Sequence, residues 1–214
     1  MLIQLLSQTV TFSVSNTPRT DRMQRYSRGK AFISPKEIVV FAMLGTIMFL
    51  GDFLMEWAPN IHFVGVLTVV YTLVYRKKAL IPLYVYVLIN GLYGGFSIWW
   101  IPYLYIWTIL WGITMLLPRG KNVAVMTVVY ALVCAIHGFA FGALYAPAQA
   151  IMFGFDFKTT IAWIVSGVPF DILHGIGNAA GSIIIVPMVL LICKFERIAP
   201  PFRGVSFFRK KKKE

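Results

Sequence analysis

The stretch VAVMTVVYALVCAIHGFAFGALY, Val123 to Tyr145, runs for 23 residues without a Lys, Arg, Asp or Glu. As a helix it rises about 34 Å, at roughly 1.5 Å per residue, which covers a hydrocarbon core of about 30 Å. A membrane-barrel strand is short and alternates polar with apolar residues, and this run does not alternate. It predicts a membrane-spanning helix. Four shorter stretches read alike: Ile38–Trp57, Ile61–Tyr75, Ala79–Phe96 and Ile101–Leu117. A last apolar run, from Ile161 to Cys193, is too long for one straight crossing. Pro169 divides it, so a loop or short helix over the surface is expected at 146–168 and a span over 169–193. Pro82, Pro102 and Pro187 mark helix ends or kinks.

The whole chain agrees with this reading. Of 214 residues, 58% are hydrophobic and 13% charged, with a mean hydropathy of +0.74. Soluble domains run at roughly 45–50% apolar and about 25% charged, so that class is excluded. An aromatic content of 15% excludes a disordered chain, and two cysteines exclude a disulfide scaffold. Cys134 and Cys193 read as small packing residues.

Net charge is +12, which suits nucleic acid, an anionic membrane surface or a topology signal. Placing the 20 Lys and Arg decides between these. They sit in the first 36 residues, at Arg76 to Lys78, at Arg119 and Lys121, and from Lys194 onward; only Lys158 lies elsewhere. With six spans, all but Lys158 fall on one side, and five or seven spans would break that segregation. Positive residues stay in the cytoplasm. The expected fold is therefore an all-α integral membrane protein of six transmembrane helices, with both termini cytoplasmic and the cell membrane as its location. Residues 1–36 read as a basic, disordered cytosolic tail, 37–194 as the membrane domain, and 195–214 as a second basic tail. The run Arg209 to Lys213 then serves topology and lipid contact rather than nucleic acid.

Several polar and aromatic groups remain, all predicted in the outer half or the outer loops. Asp52 and Glu56 are four residues apart, on one helix face. Asn60 and His62 follow in the first outer loop. Asn90, Trp99, Trp100 and Tyr103 crowd the second outer loop and its flanks, near Tyr105 and Trp107. His137 lies in the fifth span, and Asp171, His174 and Asn178 share one face of the sixth. A charge at mid-membrane costs roughly 2.5–3.5 kcal/mol on insertion scales, so such groups face a cavity or one another. Aromatic walls with a few polar groups suit a small-molecule site. Two plainer readings stand beside it: an interfacial aromatic belt for Trp99 and Trp100, and a buried structural network for the acids and histidines.

No catalytic signature is present. There is no HExxH and no phosphate-binding loop, and Gly175-Ile-Gly177 lacks the surroundings of a dinucleotide fold. No pair of His or acidic residues has tight metal-ligand spacing. A non-enzyme without metal or cofactor is expected. Small residues form a further pattern. Ala135, Gly138 and Gly142, and Gly177, Ala180 and Gly181, read as helix-packing faces, while Ala42, Gly45 and Thr46 read as a flat inner surface on the first helix that faces a partner.

In size, span number, orientation, the small-residue face and the polar, aromatic outer half, Lys36 to Lys194 resembles the substrate-binding S components of energy-coupling factor transporters. The run Ile101-Pro-Tyr-Leu-Tyr-Ile-Trp-Thr-Ile-Leu-Trp111, ending in Leu117-Pro-Arg119, is similar to members of that family. The resemblance implies a subunit that binds a vitamin-like ligand from outside. Its partners are then a transmembrane T subunit and two ATPases, which supply the ATP hydrolysis. An Ala-xxx-Ala of the first helix contacts the T subunit in that family. Ala42 and Thr46 match it here, with Thr in place of the second Ala. The family's cobalt and nickel members carry a His close to the N-terminus, and this N-terminus has none.

Three other classes compete. A self-sufficient carrier needs polar access from both faces. A scaffold of envelope assembly needs no outer pocket. A membrane enzyme needs its carboxylates to converge. The outer acids and imidazoles around aromatics suit a planar, hydrogen-bonding or partly cationic ring, such as a thiamine precursor or a deazapurine; a corrinoid and pantothenate stay open.

Overall fold

The computed structural model describes residues 33–58 and 61–205. The chain falls into two units, Met1–Ile38 and Val39–Glu214. In the described part of the first unit, Ser34 and Glu37 form a capping box. The Ser34 N–H donates to Glu37 Oε2 at 2.9 Å, and the Glu37 N–H donates to Ser34 Oγ at 3.3 Å. Pro35 follows as the first helical residue, where its missing N–H costs nothing. Asn60 and the terminal residues 1–32 and 206–214 lie outside the described residues, and with them the tail expected at the N-terminus and the run Arg209 to Lys213.

The regular elements of the described residues are all helices, with no strand beyond one isolated bridge between Lys121 and Phe202. The helices are α1 (Pro35–Phe53), α2 (Val64–Tyr75), α3 (Leu80–Gly94), α4 (Tyr103–Leu116), α5 (Val123–Phe139), α6 (Phe141–Phe153), α7 (Phe157–Gly181) and α8 (Ile185–Phe195). Three continuous helical segments among them are long and apolar enough to cross a membrane: Ile98–Leu116, Val123–Phe153 and Phe157–Phe195. Their outward faces are apolar too. On α5, Val125, Val128, Leu132 and Ile136 form an exposed stripe opposite the buried Met126, Tyr130, Cys134 and His137. A helix that is apolar all round has lipid as its solvent. This is a membrane protein.

At the centre stands α2, whose residues from Val64 to Val74 are all buried. Its Thr68 and Thr72 hydroxyls donate to the Val64 and Thr68 carbonyls, so no polar group of theirs is left unpaired in an apolar interior. α4 and α8 pack against α2, and α5 makes its most extensive pairing with α7. That pairing is backbone on backbone: a Cβ at Gly138 would lie 2.8 Å from the Gly175 Cα. Of the small-residue faces expected on these two helices, Gly138 makes this contact, and its partner is Gly175; Gly177 and Gly181 face Ile61 and Val66 instead, and Gly142 faces the Asp171 carboxyl.

Four elements differ from the sequence expectation. The helix expected over 123–145 turns at Ala140, between α5 and α6, and continues as one segment to Phe153, eight residues beyond the expected end. The surface segment expected at 146–168 is occupied by the end of α6, Pro147 included, and by the start of α7. α7 starts at Phe157 and runs through Pro169, because Asp156 is its N-cap and accepts from the Thr159 N–H at 2.7 Å. Gly154, in the left-handed region at φ 67°, ends α6 just before it. The expected tail from residue 195 is anchored as far as Val205. Phe202 is buried near Tyr130, the Gly120 N–H donates to the Pro201 carbonyl, and the Arg203 N–H donates to the Lys121 carbonyl.

Candidate functional site

Three segments converge at one end of the second unit. α1 ends at Phe53 and turns through Met55 to Ala58. The chain returns at His62 to start α2. α3 ends at Gly94, and a short 3-10 turn, Ile98–Trp100, folds back over it. That fold-back needs glycines: a Cβ at Gly94 would lie 2.7 Å from the Trp99 ring, and one at Gly91 2.7 Å from Trp100 Nε1. Between these segments lies a cavity of about 370 Å³, lined among others by Asp52, Glu56, His62, Asn90, Trp99 and Tyr103. Small-molecule sites span roughly 300–1,000 Å³.

Asp52 organises one wall. Its Oδ2 accepts from the Tyr86 hydroxyl at 2.8 Å and from Asn90 Nδ2 at 3.3 Å, and Asn90 Nδ2 also donates to the Tyr86 oxygen at 3.0 Å. Asp52 Oδ1 has no hydrogen bond among the described residues, so it remains able to accept from a ligand. No Lys or Arg stands among the lining residues. The cavity is acidic and aromatic, and it favours cationic or neutral guests over anions.

Behind His62 lies a group of buried rings. The His62 ring packs 4.7 Å from His174 and 5.7 Å from Trp107, centroid to centroid. Trp107 lies 5.6 Å from His137 and 5.9 Å from Tyr103. Phe141 closes the group at 4.6 Å from His174. His137 Nε2 lies 3.2 Å from the Ile106 carbonyl, which only accepts, so Nε2 carries the proton and the neutral ring presents a bare Nδ1.

The eleven expected ligand residues therefore divide. Glu56, His62, Asn90, Trp99 and Tyr103 line the cavity. Glu56 does so from the turn after α1 rather than from the helix face it was expected to share with Asp52. His137 and His174 lie in the ring group behind. Asn178 donates to the Cys134 carbonyl at 3.1 Å and joins α7 to α5. Asp171 accepts from the Gly142 N–H at 2.9 Å and joins α7 to α6. Trp100 is a strut: its Nε1 donates to the Val87 carbonyl at 2.7 Å, and it does not line the cavity. Asn60 is outside the described residues.

On α1, Ala42 and Thr46 are exposed, but Gly45 is buried, where a Cβ would lie 2.8 Å from the Pro82 carbonyl oxygen. Gly45 is thus a packing residue against α3, one position round the helix from the open face. Thr46 donates its hydroxyl to the Ala42 carbonyl at 2.9 Å, which leaves its methyl to the surface.

Asp52, Tyr86 and Trp107 are absent from the expected ligand set. Tyr86 and Asn90 are four apart on α3, the one signal by which Tyr86 was findable. No group of three or more His, Cys, Asp or Glu among the described residues is placed to hold a metal ion. Asp156, outside the apolar segments, has its carboxyl held below the ordinary value by hydrogen bonds from the Thr159 side chain and N–H. That is its capping role, not a chemical one. In comparisons with known proteins, no family model, no characterised protein and no solved structure matches this chain.

Proposed function

We propose that this chain is the substrate-binding S component of an energy-coupling factor importer. It crosses the cell membrane six times, keeps both termini in the cytoplasm, and binds a vitamin-like micronutrient from outside. The observation that carries the reading is the cavity walled by Asp52, His62, Asn90, Trp99 and Tyr103, contributed by three separate segments. On this reading Asp52 fixes the ligand's polar edge, held in place by Tyr86 and Asn90, while Trp99 and Tyr103 stack on its ring. The chain hydrolyses nothing; a T subunit and two ATPases supply the energy.

Two further features support it. The Lys and Arg segregation requires an even number of crossings, and the end that holds the cavity is then the outer one. The exposed face with Ala42 and Thr46 is smooth and apolar, which suits close contact with another helix.

The test is co-purification with a T subunit, and ligand binding by the isolated chain. Ala42→Trp is expected to abolish association and leave ligand affinity within about twofold, a change well under the roughly 1.4 kcal/mol of a tenfold effect. Association that survives Ala42→Trp would remove the coupling face. A wild-type chain that takes up ligand with no partner present would favour a self-sufficient carrier.

A further inference from the structure

Among the described residues, most of the buried side-chain polar atoms that lack a hydrogen-bond partner lie in one place. His62 Nδ1, Trp107 Nε1, His137 Nδ1 and His174 Nε2 are all unpaired; His62 stands in the cavity wall and the other three rings lie in the group behind it. Trp107, His137 and His174 are almost wholly buried, at 0%, 3% and 1% exposure. Native interiors pair nearly every such atom, because an orphan forfeits its hydration without return. Four orphans within one ring cluster, beside a cavity, point to a partner that arrives from the cavity.

The chemistry of that partner can be read from the orphans. Trp107 Nε1 only donates, so the partner presents an acceptor to it. His137 Nδ1 is the bare nitrogen of a ring whose Nε2–H is engaged by Ile106, so the partner presents a donor there. The two rings are 5.6 Å apart, close enough for one small group to serve both. An acceptor beside an N–H donor is an amide-like edge. Trp107 and His174, the two rings against which His62 now packs, supply flat faces where the His62 ring lies. Asp52 and Glu56 at the entrance, with no Lys or Arg among the lining residues, disfavour an acid. His62 lines the cavity and packs on both Trp107 and His174, so its side chain is the wall that must move aside.

From these observations we infer that the His62 side chain fills the inner end of the site, and that on swinging aside it gives its place to a flat aromatic ring bearing an uncharged amide-like edge, with the acceptor on Trp107 and the donor on His137. This rests on the reading of the cavity as a binding site and names the ligand class for it.

The test uses the full chain purified in detergent, with nicotinamide and nicotinate as probes. They share a ring and differ in carrying an amide or a carboxylate. Binding is followed at pH 7 by equilibrium dialysis of radiolabelled probe. Nicotinamide is expected to bind at least tenfold more tightly than nicotinate. Trp107→Phe keeps the ring and removes the N–H, and is expected to reduce that preference at least fivefold with an unchanged melting temperature. His62→Ala is expected to speed nicotinamide association. Equal binding of the two probes, a preference for nicotinate, no binding of either at millimolar concentration, or a preference untouched by Trp107→Phe would each overturn the inference. Association with a T subunit is scored separately on the same preparations, so an S component that binds an acid would remain an S component and refute only the ligand class.

Discussion

Two groups of buried polar side chains meet at His62 and are built in opposite ways. Around Asp52 the polar atoms are matched: Tyr86 and Asn90 donate, one carboxylate oxygen accepts, and one is left towards the cavity. Around Trp107 four ring nitrogens are unmatched among the described residues, while His137 Nε2 pairs with the Ile106 carbonyl. The matched group holds its own geometry without a guest. The unmatched group is held by neighbours instead, chiefly the close α5–α7 contact beneath it. A satisfied network makes a rigid wall; an unsatisfied one makes a demand on whatever enters.

The largest effect is expected from breaking the support of the unmatched group. Gly138 sits against Gly175 and the His174 backbone, with no space for a side chain. Gly138→Leu pushes α5 from α7 and separates His137 from His174. Overpacking costs about 1–3 kcal/mol or more, and here backbone must move, so a large fall in melting temperature and loss of ligand binding are expected. Thermal unfolding in detergent measures both; a stable Gly138→Leu protein would show that the helices do not approach so closely.

Next comes the matched group. Asp52→Ala leaves the Tyr86 hydroxyl without its acceptor, a cost of about 1–3 kcal/mol, while the Asn90 amide keeps the Tyr86 oxygen. It also removes the carboxylate oxygen offered to the ligand, so affinity is expected to fall tenfold or more. If stability falls and affinity does not, Asp52 is purely structural and the matched group takes no part in binding.

The smallest effect is expected at Trp100. Trp100→Phe removes one neutral hydrogen bond, worth about 0.5–1.5 kcal/mol, and touches neither group. Melting should fall slightly while ligand affinity stays the same. A loss of affinity would put the Trp100 ring back into the ligand wall.

Much of the architecture was legible in the apolar runs. The helical class, the packing of Gly138 on its partner helix, and the gathering of His62, Asn90, Trp99 and Tyr103 near one another follow from spacing and hydropathy. Trp99 and Trp100 were not separable in sequence. They are adjacent, equally aromatic and in the same loop, and only the fold-back over Gly91 and Gly94 turns one to the cavity and the other to the Val87 carbonyl. Trp107 was hidden for a similar reason: in a lipid-exposed helix the buried and outward faces are both apolar, so periodicity does not tell which side of α4 is inside. Pro169 misled because a proline inside a membrane helix loses one backbone bond that neighbours can make good, whereas Asp156 caps the true start.

The sequence by itself determined that this chain is helical and apolar enough for a membrane. Transfer free energy is a property of each residue and sums along the chain. It also determined which polar residues had to be accounted for, since each is costly in that setting. Only the tertiary structure decided which of them satisfy one another. Pairing depends on the rotation of each helix about its axis and on where each helix ends. Asp52 found two donors and Asp171 a backbone N–H across helices, while His62, Trp107, His137 and His174 were brought together without partners for their facing nitrogens.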